Sequence, residues 1–213
     1  MKWIFLFVIA PIGFACTPFL DPSLYQNGDI LLQDLRGSFG ESVENTTESA
    51  FSHVGLVRVD SKQKVFIVEA TTPFVKETPL VAYLKRTRSK AALVRIQNLD
   101  PQVANTAVHR AMTHVGKTYD RHFVLNEVSS LYCSELIYDA YLNGLGLNVF
   151  PVKPMDFSNN LEYWQKWFGS HPIPQGELGL SPQDTYNFPR SQIVLEAECK
   201  HPKQSLFHSL HPL

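Results

Sequence analysis

The alternation of hydrophobic and polar residues predicts β-strands in the first part of the chain. Two segments rich in β-branched and aromatic residues, 52–59 and 64–71, flank a polar turn at 60–62, which is typical of a β-hairpin. An apolar run at 30–32 follows the turn Asn27-Gly28-Asp29 and predicts another short strand. These segments are expected to belong to one sheet.

Helical spacing dominates the middle of the chain. A short helix is predicted over 79–86, and the apolar residues at 92–96 predict a return to strand. A longer helix is predicted over 100–116, opened by an Asp-Pro cap pair and ended by a glycine. Another covers 133–144, with its apolar residues on one face.

Four segments carry weaker patterns. Residues 36–50 are polar, which predicts a flexible loop. Residues 157–168 are rich in tryptophan and phenylalanine and are expected to pack in the core or cover it. Residues 192–195 predict a last strand, whereas 199–213 show no pattern and are expected to form an unstructured tail. Strands followed by helices and then a strand predict an α+β fold with an antiparallel sheet packed against helices.

Composition and charge limit the classes of protein and partner. With 44% hydrophobic and 18% charged residues, the 213-residue chain has the composition of a typical globular protein. One domain over 16–198 is expected. Its 19 basic and 20 acidic side chains are nearly balanced and contain no basic block. A nucleic-acid partner is therefore not expected, since the phosphate backbone requires a concentrated basic surface.

The N-terminal segment 1–15 is typical of a secretory signal peptide. Lys2 precedes an apolar run that is shorter than the ~20 residues a helix needs to cross a bilayer. Gly13 and Ala15 are small residues placed for a cut before Cys16. We therefore expect an exported protein, located in the periplasm or cell envelope or secreted.

The three cysteines leave two interpretations of Cys16 open. As the first mature residue it is a candidate lipid attachment site, which would anchor the protein to a membrane, or it forms a disulfide with Cys199. Cys133 is then the cysteine left as a thiol. Cys199 with three tail histidines offers four metal ligands, but they lie in a segment with no predicted fold to bring them together, so no metal site is expected.

Three residues have the chemistry of a nucleophilic site: His53, Glu69 and Cys133. If His53 and Glu69 lie directly opposite each other in the hairpin, the turn centres on Ser61, in agreement with the polar turn. A carboxylate there orients one imidazole nitrogen and leaves the other to take a proton. Cys133 opens a helix, where unsatisfied N–H groups favour thiolate and can hold an oxyanion. Such a set performs acyl transfer without a cofactor, although each residue taken alone is more often structural.

Several short motifs occur in order along the chain: Gly28-Asp29-Ile30, Ser52-His53-Val54-Gly55, Val68-Glu69-Ala70, Gly116-Lys117-x-Tyr119-Asp120, Tyr132-Cys133-Ser134-Glu135-Leu136 and Ser181-Pro182-Gln183. Taken together, they resemble the YiiX/YebB-like branch of the NlpC-type cysteine hydrolases. The resemblance extends over about residues 27–198 and implies a circularly permuted papain-like fold, in which the histidine strand precedes the cysteine helix.

The resemblance implies a role for each matching residue. Cys133 is expected to be the nucleophile, His53 the general base and then acid, and Glu69 the residue that orients His53. Tyr119 and Tyr132 are expected to shape the substrate pocket or donate to the oxyanion. The implied activity is hydrolysis of an amide, in a peptide or a lipid, or of an ester through a thioacyl intermediate. The alternatives are an acyltransferase and a non-catalytic envelope protein that binds a lipid or peptide.

Overall fold

A computed structural model describes residues 16–145 and 150–200, and its centre is a six-stranded antiparallel sheet in the order β10-β5-β1-β2-β3-β4. The strands are β1 (Ile30–Leu35), β2 (His53–Val59), β3 (Val65–Ala70), β4 (Val75–Pro79), β5 (Thr87–Ile96), β6 (Thr118–Tyr119), β7 (Ser130–Leu131), β8 (Lys153–Pro154), β9 (Leu178–Gly179) and β10 (Ser191–Glu198). The helices are α1 (Ser38–Thr47), α2 (Leu80–Leu84), α3 (Pro101–Met112), α4 (Cys133–Leu145), α5 (Leu161–Phe168) and α6 (Pro182–Tyr186), with 3₁₀ turns at Thr17–Leu20 and Pro22–Leu24. The predicted α+β class is confirmed.

The sheet is covered on both faces, because alternate residues of its central strands point to two separate apolar clusters. On β1, Ile30 and Leu32 belong to one cluster and Leu31 to the other. The first cluster also contains the apolar faces of α3 and α4. The second contains α2 and the first 3₁₀ turn. We call these the helix face and the α2 face of the sheet.

The predicted hairpin is present, but its register differs from the predicted one. Leu56 pairs with Val68, so the turn centres one residue later than Ser61. The reason lies in the turn itself: Asp60 accepts backbone N–H groups from Lys62 and Lys64, and Gln63 adopts a left-handed conformation. Composition alone does not show this conformation at a glutamine.

The flexible loop predicted over 36–50 is wrong, because α1 forms there. Its buried residues are Gly40, Ser42 and Glu44, which give no hydrophobic period. A Cβ added at Gly40 would lie 2.3 Å from the backbone oxygen of Leu35, so the helix packs closely against the end of β1. Ser52 donates to the buried Glu44 carboxylate at 2.9 Å and ties α1 to the start of β2.

The two ends of the described chain meet at a disulfide between Cys16 and Cys199. The prediction that the tail begins at 199 is therefore wrong at that residue, because Cys199 is buried and its N–H donates to the backbone oxygen of Ser89. The disulfide also occupies the Cys16 sulfur that a lipid would need. The predicted signal peptide, 1–15, and the tail histidines lie outside the described residues. Among the described helices, none has the length and apolar character needed to cross a membrane.

Candidate active site

Cys133 is the first residue of α4 and is buried beside a cavity. The turn before the helix is held by Glu135, whose carboxylate accepts the N–H of Tyr132 at 3.4 Å and that of Asn126 at 2.6 Å. Ser134 donates to the backbone oxygen of Leu180 at 2.7 Å. The thiol is thus fixed at a helix start, where the first backbone N–H groups lack helical partners.

The imidazole of His53 lies against the carboxylate of Glu69, with 2.5 Å between Nε2 and Oε2. The two residues are diagonal neighbours, because the register of the Leu56–Val68 pair, continued by one residue, puts Gly55 across from Glu69. A Cβ at Gly55 would lie 3.4 Å from the Glu69 Cβ and 2.3 Å from the Ile67 Cγ2. The sequence thus predicted that these two side chains would be in contact, but as a directly opposed pair and not as a diagonal one.

Cys133 lies near the same imidazole, since α4 packs against β2 and Cys133 is among the groups that raise the pKa of His53. Burial lowers the pKa of His53, but its hydrogen bonds to Cys133 and Glu69 outweigh that effect and leave the pKa raised. Because Nε2 is bonded to Glu69, Nδ1 is the nitrogen available to the thiol. The structure therefore brings Cys133, His53 and Glu69 together.

Glu69 is fully buried and bonded to more than His53. Thr78 on β4 donates to Oε1 at 2.6 Å, and Arg86 Nη2 lies 2.7 Å from Oε1 and 2.5 Å from Oε2. Burial raises the pKa of this carboxyl, but His53 and Arg86 overcome it and lower the pKa to about 2. Sequence reasoning missed Thr78 and Arg86, because no motif or period marks either position.

The cavity at Cys133 has a volume of about 410 Å³. The predicted pocket residues Tyr119 and Tyr132 are both buried in its wall. Burial is the main reason that the pKa of each hydroxyl is raised, and nearby acidic groups add to it. Both hydroxyls therefore stay protonated at neutral pH and can donate hydrogen bonds.

Two helices that carry no sequence motif supply part of the apolar cavity wall, α1 through Phe39 and Val43 and α5 through Trp164. Trp164 of α5 donates through Nε1 to Thr46 of α1 at 2.6 Å, which joins the two helices beside the cavity. The apolar lining residues are Phe39, Val43, Phe123, Met155, Phe157, Trp164 and Leu180. The expectation that the aromatic segment covers the core is confirmed, whereas the α1 residues were missed with their helix.

The fold and site define a papain-like protein of permuted order, in which the strand with the histidine precedes the helix with the cysteine. The chain belongs to the family described as the permuted papain-like amidase enzyme, YaeF/YiiX, C92 family, whose model matches residues 24–195. The resemblance found in the sequence is thereby confirmed, and the family is one of cysteine-hydrolase type.

Two relatives from Escherichia coli are similar over most of this chain. YiiX of strain K12 is 29% identical over 175 residues, which cover 79% of this chain and 85% of YiiX. The crystal structure of metalloprotein yiiX from strain O157:H7 matches with a TM-score of 0.72 and 28% identity, covering 83% of this chain and 98% of that one. In this chain, no three His, Cys, Asp or Glu side chains of the described residues are grouped as metal ligands.

Proposed function

We propose that this protein is a cysteine hydrolase that cleaves an amide or ester through Cys133, His53 and Glu69. One observation carries the proposal: a buried imidazole is hydrogen-bonded to a buried carboxylate, and the only free thiol of the described residues lies close enough to the same imidazole to raise its pKa. This is the arrangement that activates a nucleophile for acyl transfer.

The first half of the reaction forms a thioester. His53 takes the proton of Cys133, and the sulfur attacks the substrate carbonyl carbon to give a tetrahedral oxyanion. The oxyanion collapses as His53 gives its proton to the leaving amine or alcohol. Glu69 remains a carboxylate throughout and stabilises the imidazolium, in line with a pKa lowered to about 2.

The second half releases the acid. His53 removes a proton from a water molecule, which attacks the thioester carbonyl, and the proton then returns to the sulfur as the bond to Cys133 breaks. The backbone N–H groups at the start of α4 and the hydroxyls of Tyr119 and Tyr132 are the candidate donors to the oxyanion.

The cavity supports a substrate whose acyl portion is apolar. Its wall next to Cys133 is mainly aromatic and aliphatic, while its charged residues are Glu48, Lys153 and Asp156. Both signs are present, so no charge preference is expected. The proposed substrates are accordingly amides of apolar amino-acid residues or of lipid acyl chains, with the corresponding esters as the second class.

We also propose export, with cleavage before Cys16. The disulfide to Cys199 supports it, since such bonds persist in oxidising compartments. The intact mass of the protein purified from its native host tests this point. The expected mass is that of residues 16–213 without lipid, rising by two hydrogens on reduction; retention of 1–15 or an added acyl mass would contradict the proposal.

The activity is tested by incubating the purified protein with cell-wall peptide digests and with acyl anilides and acyl esters. Released acids and amines are compared by mass spectrometry with those from Cys133→Ala. We expect products only from the wild-type protein. Transfer of the acyl group to an amine or alcohol in place of water would identify an acyltransferase, and absence of turnover with tight retention of a substrate would identify a binding protein; either result overturns hydrolysis.

A further inference from the structure

The carboxylate that orients His53 is itself held from the opposite side by an arginine. Arg86 lies between α2 and β5, on the α2 face of the sheet, and its Nη2 contacts both oxygens of Glu69. Arg86 is about one-third exposed, whereas Glu69 is completely buried. The buried carboxylate is therefore paired with a cation that is itself partly in contact with solvent.

Tyr83 lies between this arginine and the catalytic imidazole. Its ring stacks on His53 with 5.6 Å between ring centroids, and the Arg86 guanidinium lies 5.1 Å from the centroid of the same ring. Its hydroxyl donates to the backbone oxygen of Leu31 at 2.8 Å, and the side chain is fully buried. The four groups His53, Glu69, Arg86 and Tyr83 thus form a closed set of contacts.

We propose that Arg86 and Tyr83 are positioning residues for the catalytic histidine. Arg86 holds Glu69 as a carboxylate in the orientation that receives His53, and Tyr83 holds the imidazole ring against Glu69. Neither residue lines the cavity at Cys133. The inference rests on the proposed function, because it assigns a role relative to the Cys133, His53 and Glu69 set.

The charges around Glu69 give Arg86 this role. Without a cation, a buried carboxylate takes up a proton more readily, and a neutral Glu69 no longer stabilises an imidazolium at His53. Lys76, its cross-strand partner on β4, is exposed. The titratable and hydrogen-bonding groups that face Glu69 are His53, Lys76, Thr78, Tyr83, Arg86 and, beyond His53, Cys133.

The test measures alkylation of Cys133 by iodoacetamide as a function of pH. With Cys16 and Cys199 in a disulfide, Cys133 is the one thiol of the three cysteines that reacts. The reactivity of Cys133 should fall at acidic pH when Glu69 takes up a proton. In Arg86→Gln we expect this fall to occur about one pH unit or more higher, since loss of an opposite charge in contact raises the pKa of a carboxyl by roughly that amount. Arg86→Lys keeps one charge without the planar guanidinium and should lie between the two.

Arg58 provides a matched control. It pairs with the carboxylate of Glu77 and lies over the ring of Phe66 at 4.9 Å, so it makes the same kinds of contact on the same sheet without touching His53 or Glu69. Arg58→Gln should therefore leave the alkylation profile unchanged.

The outcomes separate the inference from the proposed function. An Arg86→Gln profile that coincides with wild type, or a shift of equal size in Arg58→Gln, overturns the role of Arg86. If Arg86→Gln fails to fold, the same criterion applies to Arg86→Lys. A wild-type Cys133 that reacts no faster when folded than in urea contradicts the proposed function itself.

Tyr83 is tested with the same assay. Tyr83→Phe keeps the stacked ring and should retain the wild-type profile, whereas Tyr83→Leu removes the stacking and should slow alkylation near neutral pH. Equal slowing in both variants would assign the effect to the lost hydroxyl bond with Leu31 and overturn the stacking role.

Discussion

Gly55 lies beside Glu69 in the hairpin: a Cβ at Gly55 would stand 3.4 Å from the Cβ of Glu69, while the methyl Cγ2 of Ile67, at 2.3 Å, takes up the space that a Gly55 side chain would need. A pair of residues that face each other usually carries two side chains in contact. Here one side of the pair is empty, so the contact shifts to the diagonal. The packing beside Glu69 thus includes a residue with no functional group, and a side chain at that residue would meet Ile67 and Glu69.

Gly55→Ala is expected to destabilise the protein by about 1–3 kcal/mol, in the range typical of overpacking. The new methyl group would lie 2.3 Å from Cγ2 of Ile67, a β-branched side chain with little freedom to move. Urea unfolding measures the change. In an Ile67→Ala background the same substitution should cost clearly less, and equal costs in both backgrounds would show that the contact with Ile67 is not responsible.

Glu69→Gln is expected to lower kcat/KM by about 10²–10⁴-fold, the range associated with general acid–base catalysis. The amide cannot stabilise an imidazolium, so the proton held by His53 is bound less tightly. Steady-state kinetics on an acyl anilide measure the loss. Glu77→Gln removes the carboxylate paired with Arg58 and should leave kcat/KM near wild type; a comparable loss in both variants would contradict a specific role for Glu69.

Glu135 should make the protein less stable as the pH rises, whereas a carboxyl with a lowered pKa, such as Glu69, does the reverse. Burial is the main cause that raises the pKa of this carboxyl to about 8. The folded state therefore binds a proton that the unfolded state releases above about pH 4.3, so this group's contribution to stability falls as the pH rises from there to about 8.

Glu135→Gln should accordingly be more stable than wild type at pH 8 and closer to it at pH 4. The amide oxygen still accepts the N–H of Asn126, and no charge is buried. Urea unfolding at several pH values measures the difference, with the exposed Glu127→Gln as control. A difference that does not grow with pH would contradict the prediction.

Val43→Asn is expected to raise KM for substrates with long acyl chains and to leave acetyl substrates nearly unchanged. Val43 is half-buried on α1 and lines the cavity, so an amide there removes apolar contact, at roughly 0.8 kcal/mol for each methylene left unburied. A series of acyl anilides of increasing length measures the effect. Val128→Asn, at an exposed position outside the cavity, serves as control, and an equal effect of both substitutions at every chain length would refute an apolar subsite.

The sequence predicted the elements with strong periods and the residues with recognisable chemistry. It did not predict α1, since a helix buried through Gly40, Ser42 and Glu44 has no hydrophobic stripe. It placed the hairpin register wrongly, since the left-handed Gln63 lengthens a turn that composition alone centres elsewhere.

Arg86 and Thr78 were missed for a different reason. Each meets Glu69 only after β4 and α2 fold back against the hairpin, so no spacing along the chain connects them. Sequence motifs identify the residues that react, whereas the residues that position them are found only from their contacts in the folded protein. The reacting residues lie in short local motifs, and the positioning residues come together only when the sheet packs.

The disulfide has a geometric consequence for how the domain can be tethered. Cys16 and Cys199 belong to the apolar cluster on the α2 face of the sheet, while Cys133 and the aromatic cavity wall belong to the cluster on the helix face. The two cysteines therefore mark one point on the side of the sheet away from the cavity. A surface linked to the protein directly at Cys16 or Cys199 would thus contact the α2 face of the sheet, opposite the face that carries the cavity.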